Sequence, residues 1–312
     1  MAASPVFRPK ANALTALFAR RKPVIGVVHL PPLPGSPGYD GEAMDALTDF
    51  ALAEAERYRA GGMDGLIVEN HGDIPFAKPD RLGPETAACM AVITDAVRRA
   101  SGLPIGVNVL ANAAVAALAV AKAAGAQFVR VNQWANAYVA NEGLIEGPAA
   151  EATRYRSWLR SRSVRIFADV HVKHGAHAIT ADRSVGELAR DVEFFDADAT
   201  IVTGERTGDA AAMDELRAIA SATALPVLVG SGVTPGNVGE ILAVADGVIV
   251  ASSLKRDGVW WNPVDPDRVA AFAQAVAGAC AERSHIRGLT QLEFAQFRLR
   301  NRESGRLGLA RR

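Results

Sequence analysis

Eight short runs rich in valine and isoleucine punctuate the chain from Val24 to Ser252, and alanine-rich segments of helical period separate them. The runs are VIGVVHL (24–30), GLIVEN (65–70), PIGVNV (104–109), QFVRVN (127–132), VRIFADVHV (164–172), ATIVT (199–203), PVLVGS (226–231) and GVIVAS (247–252). Near-continuous apolar strands suit a parallel sheet covered by helices. The intervening segments include DALTDFALAEAERYRAGG, ETAACMAVITDAVRRASG and AAVAALAVAKAAG, and each closes on a glycine that favours a left-handed helix cap. Eight strand–helix units without a linker predict a single α/β domain, a (β/α)8 TIM-type barrel over residues 23–279. An open doubly wound sheet would carry a GxGxxG turn after its first strand, and none follows here.

The flanks read differently. Residues 1–22 form an N-terminal extension with a short packed helix, since its basic and apolar residues are mixed and lack the compact apolar core of a signal. Residues 280–312 form a C-terminal extension read as a basic helical tail, with eight arginines against three glutamates. A solvated helix is the plain reading of that tail; a homo-oligomer contact or a peripheral contact with an anionic membrane surface is the functional one. Lys+Arg and Asp+Glu balance at 34 each, so nothing pulls the chain toward nucleic acid. Two distant cysteines, Cys89 and Cys280, fit a reducing, cytoplasmic setting, and no run of about 18 apolar residues predicts a transmembrane span.

In a barrel the site lies where the strands end, so polar residues there carry information. Such residues are His29, Glu69, Asn70, Asn108, Arg130, Asn132, Asp169, His171, Thr203, Ser231, Ser252 and Ser253. Alternation along a fifth strand running to residue 172 predicts that Asp169, His171 and Lys173 share its inner face. His29, Glu69, Asp169, His171 and Lys173 are therefore the candidate catalytic residues, with imidazole and carboxylate exchanging protons near neutral pH. Asn70, Asn108, Arg130, Asn132 and Thr203 are the candidate substrate-binding residues. Taken singly, each has an ordinary structural role available, as a loop cap or a buried ion pair.

The seventh and eighth runs end in small residues, GSG and ASS, where barrels often hold phosphate. Gly204, Gly230, Ser231, Gly232, Ser252 and Ser253 are the candidate phosphate-binding residues, with Lys255 and Arg256 close by. The expected ligand is a phosphorylated small molecule. A Schiff-base mechanism has little support, because no lysine ends the sixth run. His29, Glu69, Asp169 and His171 also admit a divalent metal, although no HExxH or CxxC spacing marks one. No other cofactor is indicated.

The stretches GVVHLPPLPGSP (26–37), DGLIVENHGDIPF (64–76), PIGVNVL (104–110), VRVN (129–132), GLIEG (143–147), IFADVHVKH (166–174), IVTG (201–204), VLVGSGVTP (227–235), SLKRDG (253–258) and NPVDP (262–266) resemble the BtpA family of SgcQ-like barrel proteins. The resemblance implies a TIM-type barrel akin to phosphate-binding enzymes of sugar metabolism, and, for one family role, photosystem I biogenesis. It leaves three readings in play: an isomerase, epimerase or lyase for a sugar phosphate; a non-enzymatic, membrane-associated accessory protein for a complex; and a ligand-binding barrel without turnover. Family members commonly read Leu-Arg-Asn-Asp where this chain has Leu110, Ala111, Asn112 and Ala113, and Thr-Gly where it has Ala135 and Asn136. These departures imply a divergent substrate or a lost activity.

Overall fold

The computed structural model describes residues 10–20, 22–204 and 208–288. Its strands, in chain order, are β1 (Val24–His29), β2 (Gly65–Glu69), β3 (Ile105–Asn108), β4 (Phe128–Val131), β5 (Ala137–Ala140), β6 (Gly143–Glu146), β7 (Arg165–Asp169), β8 (Gly175–Ala176), β9 (Ala199–Thr203), β10 (Val227–Gly230) and β11 (Gly247–Val250). Eight of them close a parallel barrel in the order β1-β11-β10-β9-β7-β4-β3-β2, as the alternation predicts. The other three, β5, β6 and β8, form a small sheet of their own, with β5 antiparallel to both neighbours. The β5–β6 hairpin after β4, joined by β8 after β7, escapes the sequence reading, because these short strands are half-buried or exposed and carry little apolar alternation.

Side-chain alternation splits the apolar residues into two shells. Ile25, Val27, Ile67, Phe128, Phe167, Ile201, Leu228 and Ile249 fill the barrel interior, while Val24, Val28, Leu66, Val68, Val107, Val129 and their outward-facing kin pack under the helices. Phe128 and Phe167 stack with ring centroids 4.6 Å apart. Gly106 makes this layer possible, since a Cβ there would collide with the Phe128 ring. The helix Ala13–Leu17 begins at Asn12, whose side chain accepts from the Leu14 and Thr15 amides. It closes the floor of the barrel: Phe18, just beyond it, meets Phe128 edge-on at 6.1 Å. The predicted short N-terminal helix is thus a plug.

The helices Pro84–Ser101 and Ala114–Ala124 end on left-handed Gly102 and Gly125, the caps the sequence announces. The helix Pro266–Gly288 continues past the predicted boundary at residue 279. The rest of the arginine-rich tail lies outside the described residues. No helix among the described residues is long and apolar enough to cross a membrane, and Cys89 and Cys280 form no disulfide.

Candidate functional site at the barrel mouth

Strand register builds the first wall of the site. His29 on β1 pairs with Glu69 on β2, which pairs with Asn108 on β3, so three polar ends stand in one row. Glu69 is the hub. It accepts from Asn108 Nδ2 on Oε2 at 2.7 Å, lies 3.0 Å from His71 Nδ1 and 3.6 Å from His29 Nε2 through Oε1, and sits 3.9 Å from the Arg130 guanidinium. Burial pushes the Glu69 carboxyl up, but the His71 hydrogen bond and the Arg130 charge oppose burial, and the carboxyl is held well below the usual carboxylate range. Burial drives the His29 imidazole down to about 3, helped by His71, so the ring is neutral.

Behind this wall lies a buried ion pair. Arg130 on β4 donates through Nε to Asp169 Oδ1 at 3.1 Å and through Nη2 to Oδ2 at 3.0 Å. Asn132 adds a third donor at 3.3 Å. Asp169 is therefore occupied as a counter-ion, and Arg130 is aimed by it toward the cavity.

The expectation that Asp169, His171 and Lys173 share one strand face is corrected here. β7 ends at Asp169, its last ladder partners being on β9, and the chain turns after the Val170 amide bonds Ile201. Period-two alternation stops where the ladder stops. Lys173 still reaches the barrel mouth, where burial and the Arg130 charge lower its ammonium to about 8 against the pull of Glu69, Asp169 and Asp209. His171 swings to a neighbouring cavity, with Nδ1 3.2 Å from Glu215 Oε1 and its ring 3.9 Å from His177. His177 in turn stacks on Tyr138 of β5 and donates to the Val172 carbonyl. His171 thus has Glu215, and neither Asp169 nor Glu69, as its carboxylate partner.

A cavity of about 210 Å³ joins His29, Glu69, His71, Arg130 and Lys173 on one side to Ser231, Gly232, Ser252 and Ser253 on the other. Ser231 and Gly232 both have positive φ, 79° and 64°, and a Cβ on Gly232 would strike the Asp209 and Ala210 backbone. Only glycine allows that approach. Ser231 Oγ accepts from the Gly208 amide, and Ser253 donates to the Val233 carbonyl at 2.6 Å, tying the loop after β11 to the loop after β10. The following helix starts at Val238. Lys255 departs from the expectation of a cation beside this loop: it is buried and bonds Glu54 at 2.6 Å on the outer helix Met44–Ala60.

Other predicted residues brace loops. Asn70 accepts from the Leu110 amide and donates to Asp73, linking the loops after β2 and β3. Thr203 accepts from the Lys173 amide and donates to the His171 carbonyl, shaping the turn that follows β7. Gly204 lines the neighbouring His171 cavity, and Gly230 sits within β10. Asn112 stitches the Gln133 backbone to the Glu146 carbonyl. Asn136 has φ 63°, a left-handed conformation that glycine or asparagine accommodates.

His71 is the site residue that sequence reasoning missed. It lies two positions past Glu69 in the loop, with its ring stacked on His29 at 4.4 Å and edge-on to Trp260 at 4.5 Å. The ENHGD stretch held the signal, but loop side chains have no period from which to read a direction. Ligand atoms of His29, Glu69 and His71 all lie within 4.8 Å of one another. Asp169 and His171, named with His29 and Glu69 as metal ligands from sequence, are not in that group.

The sequence pattern of the BtpA family matches residues 20–278. The chain belongs to the BtpA family. An uncharacterized protein of Archaeoglobus fulgidus is 44% identical over 257 residues, 82% of this chain and 99% of that protein. The Photosystem I biogenesis protein BtpA of Synechocystis sp. is 42% identical over 261 residues, 83% of this chain and 90% of that one. Among solved structures, thiamine phosphate pyrophosphorylase from Pyrococcus furiosus superposes with a TM-score of 0.51 at 16% identity, covering 83% of this BtpA-family chain and 96% of that enzyme. That likeness is one of fold.

Proposed function

We propose that the barrel mouth binds a phosphorylated small molecule of the sugar-phosphate class and performs acid/base chemistry on it, as an isomerase, epimerase or lyase. The observation that carries this reading is the single cavity in which the Ser231–Gly232 and Ser252–Ser253 loops face Lys173, Arg130 and the His29–Glu69 row. Small residues at the first loop let an anion approach backbone amides, and small-residue loops after the last two barrel strands are the usual phosphate cradle. The opposite wall offers Lys173, lowered to about 8 and so able to release and regain a proton near neutral pH. Asn108 and Asn132 support this wall from behind, donating to the Glu69 and Asp169 carboxylates. His171 is left outside the acid/base wall by its pairing with Glu215.

A panel of sugar phosphates, tested by calorimetry and by mass spectrometry of co-purified ligand, examines the reading. At least one phosphorylated compound should bind, and Ser231→Glu should weaken it roughly tenfold or more, since a carboxylate would stand where the phosphate goes. Lys173→Met should retain binding and lose turnover. If no phosphorylated compound binds, or Ser231→Glu leaves affinity unchanged, the phosphate reading fails.

A second reading, assistance in assembling a large complex, draws support from the role named for the Synechocystis relative. Cell fractionation tests it: co-sedimentation with a membrane complex supports an accessory role, and a wholly free protein argues against it.

A further inference from the structure

We propose that His29, Glu69 and His71 hold one divalent transition-metal ion at the barrel mouth. The inference deepens the phosphate-pocket reading by supplying an electrophile at the reacting end. Its ligands owe nothing to the phosphate loops, so the two readings fail on separate measurements.

The distances fit. Tetrahedral ligands about 2.0–2.2 Å from an ion stand roughly 3.3–3.5 Å from one another. His29 Nε2 is 3.6 Å and His71 Nδ1 is 3.0 Å from the same carboxylate oxygen, Glu69 Oε1. The three ligand atoms all lie within 4.8 Å of one another.

Outer contacts orient each ligand, as metal sites require. His29 Nδ1 faces the Trp260 carbonyl at 3.4 Å. A carbonyl only accepts, so in the neutral ring Nδ1 carries the hydrogen and Nε2 presents a lone pair. That lone pair is turned toward an oxygen of Glu69, which also has only lone pairs to offer when ionised. An ion between the two atoms would be held by both lone pairs. Asn108 meanwhile binds the other carboxylate oxygen at 2.7 Å, leaving Oε1 to the inner side. Stacking between His29 and His71, and the edge of Trp260, hold the rings in place.

Two imidazoles and one carboxylate suit zinc, iron(II) or manganese(II) better than magnesium or calcium, which prefer oxygen ligands throughout. Three protein ligands leave further coordination positions, and the same three residues line the cavity. An ion there would polarise a carbonyl or hydroxyl of a bound substrate.

The test uses the full chain, stripped with a chelator and titrated with Co2+ and with Zn2+ alone, with metal content read by elemental analysis and Co2+ coordination by visible absorption. About one ion per chain should bind. His71→Ala and Glu69→Gln should each weaken binding by at least the roughly 10–100-fold that loss of an outer partner costs, and Asn108→Ala by about that factor. His177→Ala, which changes the neighbouring cavity, should bind like the wild type. His71 lies at the rim, so His71→Ala decides the matter even if Glu69→Gln fails to fold, with circular dichroism as the check on folding. A wild-type chain that binds no more metal than His71→Ala, or equal metal loss in His177→Ala, overturns the site. Ser231→Glu should keep the ion while losing inorganic phosphate, so loss of metal binding alone leaves the phosphate reading standing.

Discussion

Arg130 clasps Asp169 with two parallel hydrogen bonds, 3.1 Å from Nε and 3.0 Å from Nη2, and both side chains are almost wholly buried. The pair links β4 to β7 and directs the remaining guanidinium nitrogen toward Glu69. Removing one partner leaves the other charged in a poorly solvated site. Asp169→Asn should therefore destabilise the protein by about 3–5 kcal/mol, measured by denaturant titration. Replacing both, Arg130→Met with Asp169→Leu, should cost much less than the single change.

Lys173 ties stability to pH. Its ordinary value is 10.5 and its folded value about 8, with burial first and then Arg130 opposing the charge, and Glu69, Asp169 and Asp209 favouring it. Between those values the unfolded chain binds more protons than the folded one, so stability rises with pH across about 8 to 10.5. Below pH 8 the buried charge carries its full cost. Lys173→Met should accordingly stabilise the protein by about 1–3 kcal/mol at pH 7 and by little at pH 11. Urea denaturation at the two pH values checks this; an equal effect at both would contradict it.

Lys255 belongs to the scaffold. Glu54 receives its ammonium at 2.6 Å and the Val264 amide at 3.0 Å, both in the protein interior. Lys255→Met should lower stability by about 1–3 kcal/mol, because Glu54 loses its buried ammonium but keeps Arg57 at 2.6 Å and the Val264 amide. Affinity for inorganic phosphate should stay unchanged in calorimetry under conditions where the variant is folded.

Gly232 combines φ 64° with a backbone neighbour that leaves no room for a Cβ. Gly232→Ala should cost about 1–3 kcal/mol through strain and displacement of the loop. It should also weaken phosphate binding, whereas Gly41→Ala, at φ 92° in open space, should cost stability without touching phosphate affinity. Thermal unfolding and phosphate titration of both variants separate the two effects.

The barrel and its polar rim were legible from residues alone because strand alternation is local. Val27 and Val28 already say which way each side of β1 faces, and the polar ends follow from where the apolar runs stop. The same rule failed at His171. It was extended two residues beyond the last ladder bond of β7, and no local pattern marks where a ladder ends. It also missed the β5–β6–β8 sheet, whose short strands bury too little to imprint a period.

The sequence by itself determined the eightfold barrel, the loops after its last two strands and the identity of most residues at the mouth, because these follow from periodicity and turn chemistry. Only the tertiary structure decided the partnerships. Asp169 could have served His171, yet the closed barrel sets it against Arg130. Lys255 could have met a phosphate, yet it crosses to Glu54, 201 positions away in sequence. His71 could have been an idle loop residue, yet strand register and the Trp260 loop bring it to Glu69 and His29. Partner choice among charged groups depends on distance and burial after the chain has closed on itself, and neither is written in sequence spacing.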